Sequence, residues 1–234
     1  MRWVAQYNDG EYLFRGVSTA SYEIGASTYR RLPRADRRPE TLLQINQEII
    51  EEARLLGHDE KNGQQLADLA LLAELQHFGA ATCLIDFTRN SLVALWFACQ
   101  QRKKGKPANG KVVAVRSDGP APIEKLRAQH LEKEIGHFFT SDAQEEYPVY
   151  QWQPKQQNNR ILAQQSVFLF GSSEIEIAGQ CVIINAAKPA LLTALEKAAG
   201  MTEASLFPDF DGFASLRAQN KPYHPGAQRQ RWRS

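Results

Sequence analysis

Cysteine, long apolar runs and a strong net charge are all scarce in this chain of 234 residues. Its three cysteines, Cys83, Cys99 and Cys181, are widely spaced and form neither a CxxC pair nor a cluster with histidine, which argues against a disulfide framework and a structural zinc site. No apolar run approaches about 18 residues, and no basic n-region with an apolar h-region opens the sequence. We therefore expect a reduced, cytoplasmic protein that neither spans a membrane nor holds a metal.

The formal net charge of +2 is too small to imply a nucleic-acid partner by itself, but the basic residues are unevenly distributed. One group of arginines lies between residues 29 and 40, in a segment that is predicted to be a solvated loop or a contact for a phosphate-bearing partner. A second basic group lies in residues 217–234, which we expect to form a flexible tail.

Helical and strand periodicities alternate along the chain, and 43% hydrophobic residues suffice for one core. The sequence predicts a single α+β domain over residues 1–216, followed by the basic tail. The segment 118–157 is predicted to be an irregular excursion across the surface. The predicted strands are Tyr12–Arg15 (ended by Gly16), Thr82–Thr88, Lys111–Arg116, Arg160–Phe170 and Cys181–Asn185, and the predicted helices include Thr41–Leu56, Leu66–Leu75 and Pro189–Ala199.

The stretch Leu75–Ala98 combines a helix end, a strand that contains a carboxylate, and a second helix. Gly79 supplies a left-handed cap for the first helix, and Asn90 or Ser91 caps the second. Asp86 lies among apolar strand residues, where burial without a partner would cost several kcal/mol. We therefore expect Asp86 either to be buried with hydrogen-bond donors or to line a cleft that solvent reaches.

Arg15 lies among aromatic and aliphatic residues of the first predicted strand. A guanidinium is retained at the edge of a core only where anions or carbonyls satisfy it. Arg15 therefore either forms a structural pair with an internal carboxylate or binds an anionic ligand.

Blocks of residues along most of the chain, from Tyr12 to about Leu216, resemble the FRG domain, a bacterial and phage-associated family named for its Phe-Arg-Gly triplet. The matching blocks are Phe14–Gly16, Gln76–Gly79, the strand positions Thr82, Leu84, Asp86 and Thr88, the helix Ala94–Ala98, the later Arg160, Gln164 and Phe168, and Leu206–Asp209. Departures occur at Cys83, where the family pattern implies a basic residue, and at Ser166, where it implies glycine.

The layout of these motifs is also distantly similar to the ADP-ribosyltransferase fold. That resemblance implies a split antiparallel or mixed sheet with flanking helices, and NAD as co-substrate. It places Arg15, Gly16, His77 and Thr82 in cofactor binding and Asp86 and Thr88 in catalysis. Rupture of the bond between nicotinamide and ribose passes through an oxocarbenium-like state, which a carboxylate stabilises.

The third motif of such transferases usually contains glutamate, as Glu-x-Glu or Gln-x-Glu, and this chain offers two candidates. Gln164 fits the FRG pattern but supplies an amide. Glu174 and Glu176 have the spacing of the transferase motif, but such a pair is also common as solubilising charge on an exposed strand edge. We predict Gln164 in the pocket, with Glu176 as the alternative catalytic carboxylate; Asp86 could supply the negative charge instead.

The resemblance implies an NAD-dependent ADP-ribosyltransferase that modifies a macromolecule, either a nucleic acid such as RNA or a protein. It would act as a bacterial toxin or anti-phage effector with a cognate antitoxin. Tyr223 and Trp232 beside the second basic group could stack on bases. The alternatives are an NAD glycohydrolase and a non-catalytic module that binds a nucleotide or a partner.

Overall fold

A computed structural model describes residues 3, 6, 7, 10–101, 106–118, 124–126, 133–139, 149–154, 159–171 and 175–217. It contains one large mixed sheet with helices on both faces, which confirms the predicted single-domain α+β class. Glu174, Tyr223, Trp232 and tail residues 218–234 lie outside the described residues.

The described strands are β1 (Tyr12–Val17), β2 (Glu60–Lys61), β3 (Gln64–Gln65), β4 (Ile85–Thr88), β5 (Gly110–Arg116), β6 (Glu124–Lys125), β7 (Val149–Trp152), β8 (Ser166–Gly171) and β9 (Gly179–Ile183). The large sheet has the order β6-β7-β8-β4-β1-β5-β9, and β2 and β3 form a separate hairpin. Strands β6 and β7 are parallel, and the other described pairs are antiparallel.

The described α-helices are α1 (Ser27–Arg31), α2 (Pro39–Leu55), α3 (Asp68–His77), α4 (Ser91–Cys99), α5 (Asn159–Gln164), α6 (Lys188–Ala199), α7 (Glu203–Leu206) and α8 (Phe210–Arg217), and short 3-10 helices span Arg34–Asp36, Ile135–Phe138 and Asn185–Ala187. Helices α2 and α3 pack on one face of the sheet, whereas α4 and α6 pack on the other. Among the described residues, no helix has both the length and the apolar content needed to cross a membrane.

The close approach of α4 to the sheet depends on two glycines. A Cβ atom added at Gly16 would lie 1.7 Å from the backbone oxygen of Ala94, and one at Gly110 would lie 2.0 Å from that of Ala98. Both obstructing atoms belong to the α4 backbone, so no side-chain rotation could relieve the contact. The third residue of the Phe-Arg-Gly triplet therefore lets α4 lie directly on β1.

Three details of the predicted secondary structure are wrong. The predicted strand Arg160–Phe170 is a helix followed by a strand, α5 and β8, separated by Gln165 with a left-handed φ of 48°. Gly16 continues β1, because Val17 still pairs with Lys111. Strand β4 begins at Ile85 and not at Thr82.

The predicted surface excursion 118–157 is also wrong for the residues that the structure describes within it. Phe138 and Trp152 are buried in the main core, at 2% and 4% exposure, and β7 extends the sheet. The rings of Trp152 and Phe168 stack at 5.5 Å between centroids. Aromatic packing therefore draws these parts of the segment into the sheet.

The three cysteines differ in their access to solvent. Cys83 and Cys99 are buried and Cys181 is partly exposed. Burial raises the pKa of the Cys83 thiol to about 12 and that of the Cys99 thiol to about 11, so almost no thiolate forms at pH 8.

We expect an aromatic disulfide reagent at pH 8 to react rapidly with Cys181 in the folded protein and with Cys83 and Cys99 only after denaturation. Absorbance of the released thiolate measures the stoichiometry. Rapid reaction of a Cys181→Ser variant would contradict this expectation.

Candidate functional site

A cavity of about 220 Å³ opens where β1 and β4 diverge. Among the described residues, the register of β1 with β4 holds one pair, Phe14 with Thr88, whereas β1 pairs with β5 from Tyr12 to Val17. The sheet is therefore split at the junction of the two strands that carry the predicted motifs. The lining residues are Phe14, Arg15, Gly16, Ala73, Gln76, His77, Asp86, Phe87, Thr88, Val93, Phe97, Arg160, Ile161, Gln164, Ser166 and Phe168.

Arg15 crosses this split to Asp86. Its guanidinium donates a hydrogen bond to the Asp86 carbonyl oxygen, and Nη1 lies 3.7 Å from the carboxylate oxygen Oδ2. The Arg15 side chain is 16% exposed, whereas that of Asp86 is 59% exposed. Burial lowers the pKa of Arg15, an effect that Asp86 opposes and Arg30 reinforces. The pair therefore lies at the cavity surface, where the guanidinium keeps donors available for a ligand.

Asp86 is not buried: it lines a cleft that solvent reaches, and it also has hydrogen-bond donors, so both features named in the sequence analysis are present. Gln76, in the last turn of α3, donates from Nε2 to Asp86 Oδ1 at 2.9 Å. The Gln76 amide is itself oriented by the Thr82 hydroxyl, which donates to its Oε1. Thr82 is fully buried and does not line the cavity, so this residue positions Gln76.

Thr88 lines the cavity, but its hydroxyl already has two backbone partners. Oγ1 donates to the Gln164 carbonyl at 2.7 Å and accepts from the Asn90 amide at 3.0 Å. The Gln164 side chain donates from Nε2 to the Leu206 carbonyl at 2.9 Å. The structure therefore brings Thr88 and Gln164 together, and their hydrogen bonds tie α5 to β4 and α7.

We expect Thr88→Val to lower the free energy of unfolding by about 2 kcal/mol, because the variant removes a buried hydroxyl and leaves both backbone partners unsatisfied. Urea denaturation measures the change. Thr88→Ser, which keeps the hydroxyl, should cost less than half as much; equal effects would show that the two hydrogen bonds contribute little.

His77 lies at the end of α3 and is 15% exposed. Arg160 Nη1 lies 3.3 Å from His77 Nδ1. A guanidinium only donates, so Nδ1 is placed to accept from Arg160, and Nε2 lies 3.8 Å from Asp211 Oδ2. The Arg160 guanidinium lies 4.4 Å above the ring of Phe207. The predicted His77 is thus held in one orientation against the cavity by residues from α5 and α8.

Residues 10–106 match the FRG domain. The searches of curated proteins and of solved structures gave no match, so the likeness to ADP-ribosyltransferases stays a prediction.

The segment that matches the FRG domain supplies one wall of the cavity, with Arg15, Gln76 and Asp86. The rest of the lining comes from downstream residues, including Arg160 and Gln164. The FRG segment therefore needs the later part of the chain to close the site.

Two further predicted residues, Gly16 and Glu176, do not offer a side chain to the cavity. Gly16 lines the cavity, but its contact with α4 accounts for the absence of a side chain. Glu176 is exposed between β8 and β9 and does not line the cavity. Among the described lining residues, Asp86 is therefore the one carboxylate.

Gln76 and Arg160 also line the cavity, and the sequence analysis assigns them no role. Gln76 belongs to the family-like block Gln76–Gly79, but its contact with Asp86 joins residues ten positions apart, in a helix and a strand. Arg160 belongs to one of the family-like blocks, but its contact with His77 joins residues 83 positions apart.

Proposed function

We propose that this protein is an NAD-dependent ADP-ribosyltransferase that modifies a macromolecule, either a nucleic acid or a protein. The observation that carries the proposal is the cavity at the split between β1 and β4, where Arg15, His77, Asp86 and Gln164 meet. These residues come from separate family-like blocks, and a largely apolar cavity on which a few polar groups converge is the expected location of a binding site.

In this proposal the Arg15 guanidinium holds a phosphate or a ribose edge of NAD. Asp86 faces the nicotinamide ribose and stabilises the oxocarbenium-like state by its negative charge. We prefer Asp86 to Glu176 as the catalytic carboxylate, because Asp86 lines the cavity and Glu176 does not. Thr88 acts as a positioning residue, since its hydroxyl is already bonded to backbone.

The proposed reaction breaks the bond between ribose C1′ and the nicotinamide nitrogen, and the electron pair leaves with nicotinamide. A nucleophile of the acceptor then forms a bond to C1′ and releases its proton to solvent. Water as the acceptor would give ADP-ribose instead, which is the activity of a glycohydrolase.

One observation favours a second candidate, a non-catalytic module that binds a nucleotide. At the third motif, Gln164 supplies an amide that is bonded to Leu206, and the alternative carboxylate Glu176 is outside the cavity. A site of this kind could bind NAD without cleaving it.

Incubation with NAD labelled in the adenylate half separates these candidates, first with protein alone and then with RNA, DNA or cell lysate. Label on a macromolecule supports transfer. Free nicotinamide with unattached ADP-ribose supports hydrolysis, and binding of intact NAD supports the module. Retention of full activity in a folded Arg15→Ala variant would contradict the assigned cavity.

A transferase of this kind would harm its own cell if unregulated. We therefore also propose, from the FRG resemblance, a bacterial toxin or anti-phage effector with a cognate antitoxin. Growth arrest on expression of the wild-type protein, and its absence with the inactive Asp86→Asn variant, would support that role.

A further inference from the structure

A second hollow of about 270 Å³ adjoins the main cavity and shares Arg15, Gln76 and Asp86 with it. Neither hollow alone reaches the range of about 300–1,000 Å³ that is typical of ligand pockets, but together they fall within it. The remaining lining residues are Gly25, Ser27, Arg30, Arg31, Gly79, Ala80 and Leu84.

The wall of this hollow that α1 forms is fixed to the segment before β4. Ser27 Oγ donates to the Thr82 carbonyl at 3.2 Å and accepts from the Thr82 amide at 3.0 Å. The amide of Thr28 also donates to the Thr82 carbonyl, at 3.3 Å. Arg30 and Arg31, in the last turn of α1, are therefore held beside Arg15 by a rigid connection.

Positive charge in the second hollow exceeds negative charge. Its described lining contains Arg15, Arg30 and Arg31 against a single carboxylate, Asp86. Arg30 donates from Nη1 to the Gly25 carbonyl at 2.6 Å, a neutral partner. Within the described ranges, no carboxylate pairs with Arg31. An anion would therefore be attracted to this hollow.

The basic surface continues beyond the hollow along residues 34–38. Arg34 is 84% exposed and shares the carboxylate of Glu23 with Arg37, at 3.0 and 2.6 Å. Arg38 is also exposed. These guanidinium groups extend the positive charge beyond the hollow, although Glu23 and Asp36 offset part of it, and together they suit a polyanion.

An exposed aromatic ring, that of Phe78, neighbours residues of both hollows along the chain, and it lines a third hollow itself. Phe78 is 70% exposed and precedes Gly79 and Ala80, which line the second hollow. Its ring stands edge-on to His77, which lines the main cavity, at 5.1 Å between centroids. Basic grooves with such aromatic platforms are typical of proteins that bind single-stranded nucleic acids.

We propose that the second hollow and the α1 surface bind the backbone of a single-stranded nucleic acid, with one base stacked on Phe78, and present it to the main cavity as acceptor. This inference rests on the proposed function for its acceptor role. A single strand fits better than a duplex, because enzymes that act on bases take them out of the stack.

The test is fluorescence anisotropy with a labelled single-stranded DNA of about 20 nucleotides and its RNA equivalent, at about 50 to 200 mM KCl and without NAD. We expect the association constant to fall steeply with salt. Arg31→Gln should reduce the magnitude of the logarithmic slope by about 0.7, the value for one phosphate contact on a single strand. Phe78→Leu should weaken binding about tenfold with little change in slope.

Lys197→Gln is the matched control, because Lys197 is exposed on α6, which packs on the opposite face of the sheet. It should leave the slope unchanged. An equal effect of Arg31→Gln and Lys197→Gln, binding without salt dependence, or label found on protein but never on nucleic acid would overturn the inference. Absence of NAD turnover with salt-dependent binding intact would contradict the proposed function alone.

Discussion

Replacement of Asp86 by asparagine is expected to lower the rate of NAD cleavage by about 10²–10³-fold, because the variant removes the negative charge that faces the developing oxocarbenium ion. Asparagine keeps an oxygen that can accept from Gln76, and the bond from Arg15 to the Asp86 carbonyl is a backbone contact. The fold should therefore survive the change. Release of nicotinamide, followed by liquid chromatography, measures the rate.

Glu176→Gln is the control for this experiment, since it removes the same charge from an exposed carboxylate outside the cavity. It should leave the rate within about twofold of wild type, as most surface changes do. A large loss in Glu176→Gln together with an active Asp86→Asn protein would reverse the assignment of the catalytic carboxylate.

Gly16→Ala is expected to lower the free energy of unfolding by about 3 kcal/mol or more, because the new methyl group would overlap the backbone of α4 at Ala94. NAD cleavage should fall with it, since Val93 and Phe97 of α4 line the cavity. Urea denaturation and the nicotinamide assay measure the two effects.

Gly25→Ala is the matched control for Gly16→Ala. No heavy atom lies within 4 Å of a Cβ atom built there, and Gly25 does not have a positive φ. Its stability should be unchanged or rise by up to about 1 kcal/mol, as at other compatible glycines. Equal stability of the two variants would show that α4 can move away from β1 at little cost.

Local signals predicted the helix boundaries near the site well. Asn90 caps α4 through its Oδ1, which accepts from the Leu92 amide at 3.0 Å, and Gly79 follows α3 with a φ of 98°. Both features depend on a few neighbouring residues, and these are visible in the sequence.

The region around α5 shows where local signals fail. Helix α5 contains only the six residues Asn159–Gln164. So short a helix shows no clear helical period in the sequence, and it cannot be told apart from the apolar strand β8 that follows. The turn between them uses a left-handed Gln165 in place of the usual glycine. No residue type therefore marks the boundary.

The exposure of Asp86 depends on long-range pairing. The apolar neighbours of Asp86 permit burial, but the split between β1 and β4 opens its side chain to solvent. The split follows from how β4 pairs with β8 and how β1 pairs with β5, which the residues of β4 alone do not determine. The meeting of Arg15 with Asp86 was therefore predicted from family resemblance and not from periodicity.

The most direct test is a crystal structure with a carbocyclic NAD analogue, whose cyclopentane ring cannot form the oxocarbenium ion. The account predicts the nicotinamide half in the cavity between β1 and β4, with Arg15 hydrogen-bonded to a phosphate or ribose oxygen and Asp86 facing the ring that replaces the ribose. An analogue bound elsewhere, or a cavity that stays empty at saturating concentration, would contradict it.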